Sequence, residues 1–236
     1  MKKLVAMAAM VAAVGMGAGA AHAQKVADTG MQGLDPASGK APKQIVVMFH
    51  GYTQNGMAMK PLAEALAKRL PDAAFIFNDG SMTAQGGRSW YVLRGEDKDN
   101  TRGAVKQVAI DTVNKASDVL KVPHDKIVTV GFSQGGGVAF DAGTCVTGDV
   151  KAVVSLAGII ANGDCAAEKG GKAPSVLIVH NDADPVVDAT RIKAFQDKLT
   201  AGGYTSTLNE VSGEAHWPSP DGIHKAVDFI VAQLGG

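Results

Sequence analysis

Short β-branched runs alternate with longer amphipathic stretches along most of the chain. The run Gln44–His50, QIVVMFH, is apolar at nearly every position, which is typical of a strand covered on both faces. Further strands are predicted near Ala74–Phe77, Ile127–Gly131, Ala152–Leu156, Ser175–His180 and Ser206–Val211. Helices are predicted near Met57–Leu70, Ala104–Leu120, Gln134–Thr144, Asp188–Ala201 and Gly222–Leu234. This alternation predicts an α/β fold with a mostly parallel central sheet and helices on both faces.

The N-terminal hydrophobic pattern differs from the rest. Lys2 and Lys3 precede an apolar run over residues 4–20, and the small residues Ala21 and Ala23 follow. This pattern is typical of a secretory signal peptide, so we expect residues 1–23 to be removed and the protein to be periplasmic or secreted. A retained membrane anchor is the alternative, but three glycines weaken the run as a spanning helix. No stable membrane insertion is expected after cleavage.

Two further units follow the signal segment. Residues 24–43 contain turn formers with little periodicity, which favours a linker or loosely attached N-terminal arm. Residues 44–236 are expected to form one catalytic domain. The interval between Leu156 and Ser175 is too short for a substantial cap domain.

The net charge limits the possible binding partners, and the cysteine count raises the possibility of a disulfide. The formal net charge is zero and no basic stripe occurs, which argues against nucleic acid as a partner. The two cysteines, Cys145 and Cys165, could form a disulfide in an oxidising compartment, or both could be buried thiols.

A candidate nucleophile follows the strand at Ile127. The sequence GFSQG over Gly131–Gly135 is a G-x-S-x-G motif between a strand pattern and a helix pattern, which is the nucleophile elbow of α/β-hydrolases. In such a turn Ser133 projects above the sheet. Bulky side chains two residues before or after it would collide with the adjoining strand or helix.

A serine hydroxyl needs a histidine to accept its proton and a carboxylate to orient that histidine. In this fold the chain order is serine, acid, histidine. The sequences NDADP, after the strand ending at His180, and SGEAHW, after the last strand, supply them in that order. The residues alone therefore predict Ser133, either Asp182 or Asp184, and His216.

An oxyanion hole requires two backbone N–H groups directed at the developing charge. The N–H of Gln134, at the start of a helix, is one candidate. The glycine-containing loop HGYTQNG after the first strand offers the other, through the main chain of Tyr52. We expect His50, at the start of this loop, to shape it at the substrate pocket rather than to exchange protons.

Five short pieces together resemble one known family. They are FHGYTQNG, RSWY (Arg88–Tyr91), GFSQGG, HNDADPVV (His180–Val187) and GEAHWPS (Gly213–Ser219), and they extend over nearly the whole domain. In them the chain resembles the phospholipase/carboxylesterase family of α/β-hydrolases, which includes acyl-protein thioesterases and small bacterial carboxylesterases. The resemblance implies that Asp184 is the catalytic acid and Asp182 a helper in the turn. It also implies that Trp90 borders the acyl pocket.

Two departures from the family pattern bear on function. The oxyanion loop lacks the acidic residue that the family often has, and most members lack an export signal, so cytosolic protein deacylation is disfavoured. We expect an exported serine hydrolase that cleaves small-molecule or lipid-like carboxylic esters without a cofactor. A secreted polyester depolymerase, an aryl esterase and a non-catalytic binding protein are the alternatives. A metal site at HNDAD is disfavoured because no second histidine-bearing segment accompanies it.

Overall fold

The computed structural model describes residues 24–158 and 173–235. Within these two ranges, seven strands form one sheet in the order β1-β3-β2-β6-β7-β8-β9, and two more form a hairpin, β4-β5. The strands are β1 Gly33–Leu34, β2 Gln44–Phe49, β3 Ala73–Ile76, β4 Met82–Ala84, β5 Gly87–Ser89, β6 Ile127–Phe132, β7 Ala152–Leu156, β8 Ser175–Asn181 and β9 Ser206–Val211.

The sheet is parallel except at one edge, where β1 pairs antiparallel with β3. In the register between β2 and β6, Phe49 lies opposite Gly131. The carboxyl ends of these two strands therefore meet at one edge of the sheet, where ligands bind in open α/β folds. The mostly parallel sheet with helices on both faces, expected from the alternation of strands and helices, is thus the one observed, in keeping with the α/β-hydrolase fold that the family resemblance implies.

In the described part of the chain, five α-helices cover the two faces of the sheet. They are α1 Lys60–Ala67, α2 Lys98–Leu120, α3 Gln134–Cys145, α4 Ala189–Ala201 and α5 Pro220–Leu234. Alternate strand residues point to opposite faces. On one face Val46 and Val128 share a buried cluster with residues of α1 and α5, and on the other Ile45 and Ile127 pack with α2 and α3.

The segment over residues 24–43 differs from the loose arm that its composition suggests. Strand β1 adds it to the sheet edge, with Gly33 paired to Ile76, and Val26 and Thr29 are buried. The strand is only two residues long, which is too short to show an alternation of apolar and polar positions in the sequence. The hairpin β4-β5 is missing from the sequence prediction for the same reason.

Several sequence predictions concern residues that lie outside the described ranges. These are the signal peptide over residues 1–23, Cys165, and most of the interval between β7 and β8. Within the described ranges no cap domain is inserted into the fold. None of the helices there combines the length and apolar character needed to cross a membrane.

Candidate active site

Ser133 lies in the sharp turn between β6 and α3. Its backbone angles are φ 52° and ψ −117°, in the left-handed region that non-glycine residues rarely adopt. A Cβ at Gly131 would overlap the carbonyl of Gly135, and a Cβ at Gly135 would overlap the carbonyl of Phe49. The glycines therefore allow the strand, turn and helix to pack closely enough to hold Ser133 in this strained conformation.

The structure brings Ser133, His216 and Asp184 together in one hydrogen-bonded chain. Ser133 Oγ is 2.7 Å from His216 Nε2, and His216 Nδ1 is 2.8 Å from Asp184 Oδ2. The His216 side chain is 20 % exposed, whereas the Asp184 side chain is fully buried. The His216 ring also packs on Phe132, with 4.9 Å between ring centroids. This geometry can transfer a proton from the hydroxyl to the imidazole while the carboxylate stabilises the cation.

The two aspartates after β8 have different surroundings. Asp184 directs Oδ2 at His216, and its Oδ1 accepts hydrogen bonds from the N–H groups of Val186 and Val187. Asp182 is exposed, and its Oδ1 accepts a hydrogen bond from the N–H of Gly213. The geometry therefore favours Asp184 as the orienting acid, and Asp182 ties its own turn to the loop that precedes His216.

Asn181 is a supporting residue to which the sequence analysis assigns no role. Its side-chain amide donates to the carbonyls of Ala215 and Trp217, which flank His216. Its Oδ1 accepts from the N–H of Ser219. A buried side chain with three backbone partners fixes the His216 loop. Its position at the carboxyl end of β8, three residues before Asp184, is the signal that could have identified it.

His180, at the end of β8, is a second histidine close to the acid. Its ring is buried, and its Nδ1 lies 3.7 Å from Asp184 Oδ2, too far for a hydrogen bond. Neither ring nitrogen has a hydrogen-bond partner in the described part of the chain. Burial lowers the pKa of His180, although the negative charge of Asp184 acts in the opposite direction. The lowered pKa favours the neutral ring, and at this distance His180 does not compete with His216 for a hydrogen bond to Asp184.

The two candidate oxyanion donors lie on neighbouring segments. Gln134 is the first residue of α3, so its N–H has no acceptor within the helix. Tyr52 follows β2, and its N–H has no acceptor among the residues that the structure describes. Strands β2 and β6 are adjacent in the sheet, which brings both segments to the same edge. Their roles as donors stay a prediction.

The two predicted pocket residues are both buried in the structure. Trp90 is 3 % exposed and His50 is fully buried, and their rings lie against each other with centroids 4.9 Å apart. His50 Nε2 accepts a hydrogen bond from the N–H of Gly80, and Nδ1 lies 2.7 Å from the carbonyl oxygen of Gly51. Burial lowers the pKa of His50, in keeping with a neutral ring. Direct contact of either residue with substrate stays a prediction.

Of the two residues in the predicted disulfide, only Cys145 lies within the described ranges. Cys145 lies at the end of α3 and is mostly buried, but Cys165 is outside the described ranges, so the disulfide stays a prediction. Over residues 24–158 and 173–235, no group of three or more potential ligand side chains is arranged to hold a metal ion.

The chain is similar in sequence to known ester and thioester hydrolases. The phospholipase/carboxylesterase family matches residues 36–234. Esterase YpfH of Escherichia coli is 26 % identical over 81 % of this chain and 83 % of its own. Acyl-protein thioesterase 1 of Saccharomyces cerevisiae is 27 % identical over 86 % of this chain and 99 % of its own.

Solved structures agree with these sequence matches. The crystal structure of esterase PE8 has a TM-score of 0.75 and 26 % identity, and the match covers 86 % of this chain and 98 % of that one. The Bacillus cereus carboxylesterase, at 16 % identity, shares the fold with a TM-score of 0.71 over 86 % of this chain and 93 % of its own. The family match extends over most of the chain, and the chain therefore belongs to the phospholipase/carboxylesterase family of ester hydrolases.

Proposed function

We propose that this protein is an exported serine hydrolase that cleaves carboxylic esters through an acyl-enzyme. Ser133 is the nucleophile, His216 the general base and Asp184 the residue that orients His216. The N–H groups of Gln134 and Tyr52 bind the oxyanion. The observation that carries the proposal is the continuous chain of 2.7 Å and 2.8 Å contacts from Ser133 through His216 to Asp184.

The reaction has two balanced halves. Ser133 Oγ attacks the ester carbonyl carbon while its proton moves to His216 Nε2, and the carbonyl oxygen becomes an oxyanion. Collapse of this intermediate breaks the bond to the alkoxy oxygen, which leaves as the alcohol with the proton from His216. Water then attacks the acyl-enzyme by the same route and releases the carboxylic acid, with Ser133 regenerated.

Two properties of the site support the assignment of roles. The buried Asp184 carboxylate accepts two backbone N–H groups on its other oxygen, so its position is fixed before substrate binds. Ser133 precedes the first turn of α3, where the helix dipole favours the negative charge of a tetrahedral intermediate.

Replacement of the nucleophile tests the mechanism. Ser133→Ala should abolish hydrolysis of p-nitrophenyl acetate and labelling by a fluorophosphonate, while the thermal unfolding temperature stays close to that of the wild type. Stoichiometric labelling of the wild type at Ser133 distinguishes an active hydrolase from a binding protein on the same scaffold. Wild-type turnover in Ser133→Ala, or no labelling of the wild-type protein, would refute the mechanism.

Export is supported by the N-terminal sequence alone, with two lysines, an apolar run and the small residues Ala21 and Ala23. The mature protein should begin at Gln24 and be found outside the cytoplasm. Fractionation of a bacterial host that expresses the full chain, followed by intact-mass measurement, tests this. A cytoplasmic product that retains Met1–Ala23 would contradict it.

The substrate class is proposed as small-molecule or lipid-like esters. Esterase YpfH and esterase PE8 are named for ester hydrolysis, and the yeast relative for acyl-protein thioester hydrolysis. A screen of p-nitrophenyl esters of increasing acyl length, lysophospholipids, aryl esters, thioesters and polyesters would rank these classes. Preference for a polyester or a thioester over every small ester would overturn this part of the proposal.

A further inference from the structure

The proposed oxyanion hole draws on two segments far apart in sequence, and a buried chain of side chains connects them. One donor is the N–H of Gln134 at the start of α3, and the other is the N–H of Tyr52 in the loop after β2. Effective stabilisation requires both donors to lie about 3 Å from the same oxygen. The fold must therefore hold the two donors at a fixed distance and orientation relative to each other.

The connection begins at the side chain of Gln134. The amide is fully buried, and its Oε1 accepts a hydrogen bond of 3.0 Å from the N–H of Trp90. Its Nε2 donates to the carbonyl of Tyr91 at 2.7 Å. The residue whose backbone is an oxyanion donor thus uses both ends of its side chain to hold the main chain on either side of the Trp90 side chain.

Trp90 makes the second link. Its indole Nε1 donates a hydrogen bond of 2.8 Å to the carbonyl of His50. The Trp90 ring also packs edge-on against Phe49, with centroids 5.3 Å apart, at the end of β2. Because the indole is rigid and buried, it fixes the distance between the turn at Gln134 and the loop that begins at His50.

His50 makes the last link, to the peptide unit that carries the second donor. Its Nε2 accepts from Gly80 N–H, so in the neutral ring the proton is on Nδ1, which donates to the carbonyl of Gly51 at 2.7 Å. This carbonyl and the N–H of Tyr52 belong to one trans peptide and point in opposite directions. A donor on the carbonyl side therefore fixes the direction of the Tyr52 N–H, and it polarises the peptide so that this N–H becomes a stronger donor.

We propose that the Gln134 side chain, Trp90 and His50 form a positioning connection that holds the two oxyanion donors at a fixed separation and orientation. The inference rests on the proposed function, because it concerns the oxyanion hole of that reaction. None of the three side chains needs to contact the substrate. Trp90 acts through His50 on the Tyr52 N–H, and Gln134 acts through Trp90.

The test is Trp90→Phe, which removes the indole N–H and keeps an aromatic ring in the core. Gln134→Met is the second variant, because it removes the amide while its backbone N–H remains. The matched control is Ile230→Val, a conservative core change in α5. The probes are p-nitrophenyl acetate, a trifluoromethyl ketone that forms a tetrahedral adduct with the serine, and the corresponding secondary alcohol, which cannot form one.

In Trp90→Phe we expect kcat/KM for the ester to fall about 10-fold, a fraction of the loss for a deleted oxyanion donor. The inhibition constant of the ketone should rise by the same factor, and that of the alcohol by less than 2-fold. Gln134→Met should behave likewise, and the double variant should lose little more than either single one. Ile230→Val should lower the unfolding temperature and leave all three constants unchanged.

The outcomes separate the connection from the mechanism on which it rests. Equal weakening of ketone and alcohol binding, or wild-type kcat/KM in folded Trp90→Phe, overturns the connection while the proposed hydrolase stands. If Trp90→Phe does not fold, wild-type kcat/KM in Gln134→Met has the same consequence. A wild-type protein that neither hydrolyses the ester nor reacts with a fluorophosphonate at Ser133 overturns both proposals.

Discussion

The Asp184 carboxylate divides its two oxygens between different partners. Oδ2 lies 2.8 Å from Nδ1 of His216, and Oδ1 accepts the backbone N–H groups of Val186 and Val187. The same turn that buries the acid therefore supplies the hydrogen bonds that hold it in place. His216 receives a partner whose position does not depend on substrate, which limits the reorganisation needed when the imidazole becomes charged.

Asp184→Asn should lower kcat by roughly 10³–10⁴-fold, because an amide opposite Nδ1 favours the wrong histidine tautomer. Asp182→Asn is the matched control, since its Oδ1 can still accept the Gly213 N–H, and it should change kcat by less than about 3-fold. Steady-state kinetics on p-nitrophenyl acetate measures both variants. The reverse ranking would exchange the roles of the two aspartates.

Gly135→Ala should impair both stability and activity, because its Cβ would overlap the backbone carbonyls of Phe49 and His50. We expect a loss of about 1–3 kcal/mol in the free energy of unfolding and a large fall in kcat/KM. Gly103→Ala, within α2, is the control, since its Cβ meets no atom within 4 Å. This change should stabilise the protein by about 0.5–1 kcal/mol. Urea unfolding distinguishes the two, and equal effects would contradict the packing argument.

Acid should destabilise the protein through its buried histidines. Burial lowers the pKa of His50 and of His180 from 6.5. In mild acid the unfolded chain therefore binds protons at these two rings more readily than the folded protein does. Above about pH 6.5 both states hold these rings neutral, so the rings do not lower the free energy of unfolding. Below that pH the free energy of unfolding falls by at most about 1.4 kcal/mol per pH unit for each ring. The unfolding temperature from pH 8 to 5 should therefore decline less steeply in His180→Gln than in the wild type. The control His224→Gln, at an exposed position, should follow the wild type, and identical slopes in all three proteins would refute the prediction.

The buried ion pair between α2 and α3 should respond differently to single and double replacement. Arg102 Nη2 lies 3.1 Å from Asp141 Oδ2, with the side chains 17 % and 5 % exposed. Burial raises the pKa of Asp141, while the charge of Arg102 lowers it. Arg102→Met should cost about 3 kcal/mol of unfolding free energy, because it leaves Asp141 without its partner. Combination with Asp141→Leu should restore most of that loss in denaturant titrations, and a neutral single variant would show that the pair is unimportant.

If the protein is exported as proposed, we expect Cys145 and Cys165 to form a disulfide. Mass spectrometry of native, unreduced protein treated with an alkylating reagent should find neither cysteine modified. Reduction should then lower the unfolding temperature, because a cross-link of this loop length is worth about 3 kcal/mol. Two alkylated cysteines before reduction would refute the bridge.

The sequence by itself determined the α/β architecture and the position of the candidate nucleophile, because both are encoded locally. Strand β7 has the predicted bounds, and GFSQG spans the junction between a strand and a helix that periodicity alone predicts. The order of serine, acid and histidine also follows from motifs that come directly after strands. Short elements such as β1 and the hairpin β4-β5 could not be predicted, because two or three residues carry no periodic signal.

Only the tertiary structure decided which side chains from these separate segments contact one another. Asp184 rather than Asp182 contacts His216, Asn181 fixes the His216 loop, and the Gln134 side chain binds the main chain at Trp90. Each of these contacts joins residues more than 30 positions apart. Their geometry is set by the order of strands in the sheet and by backbone directions at strand ends, which hydrophobic periodicity does not encode.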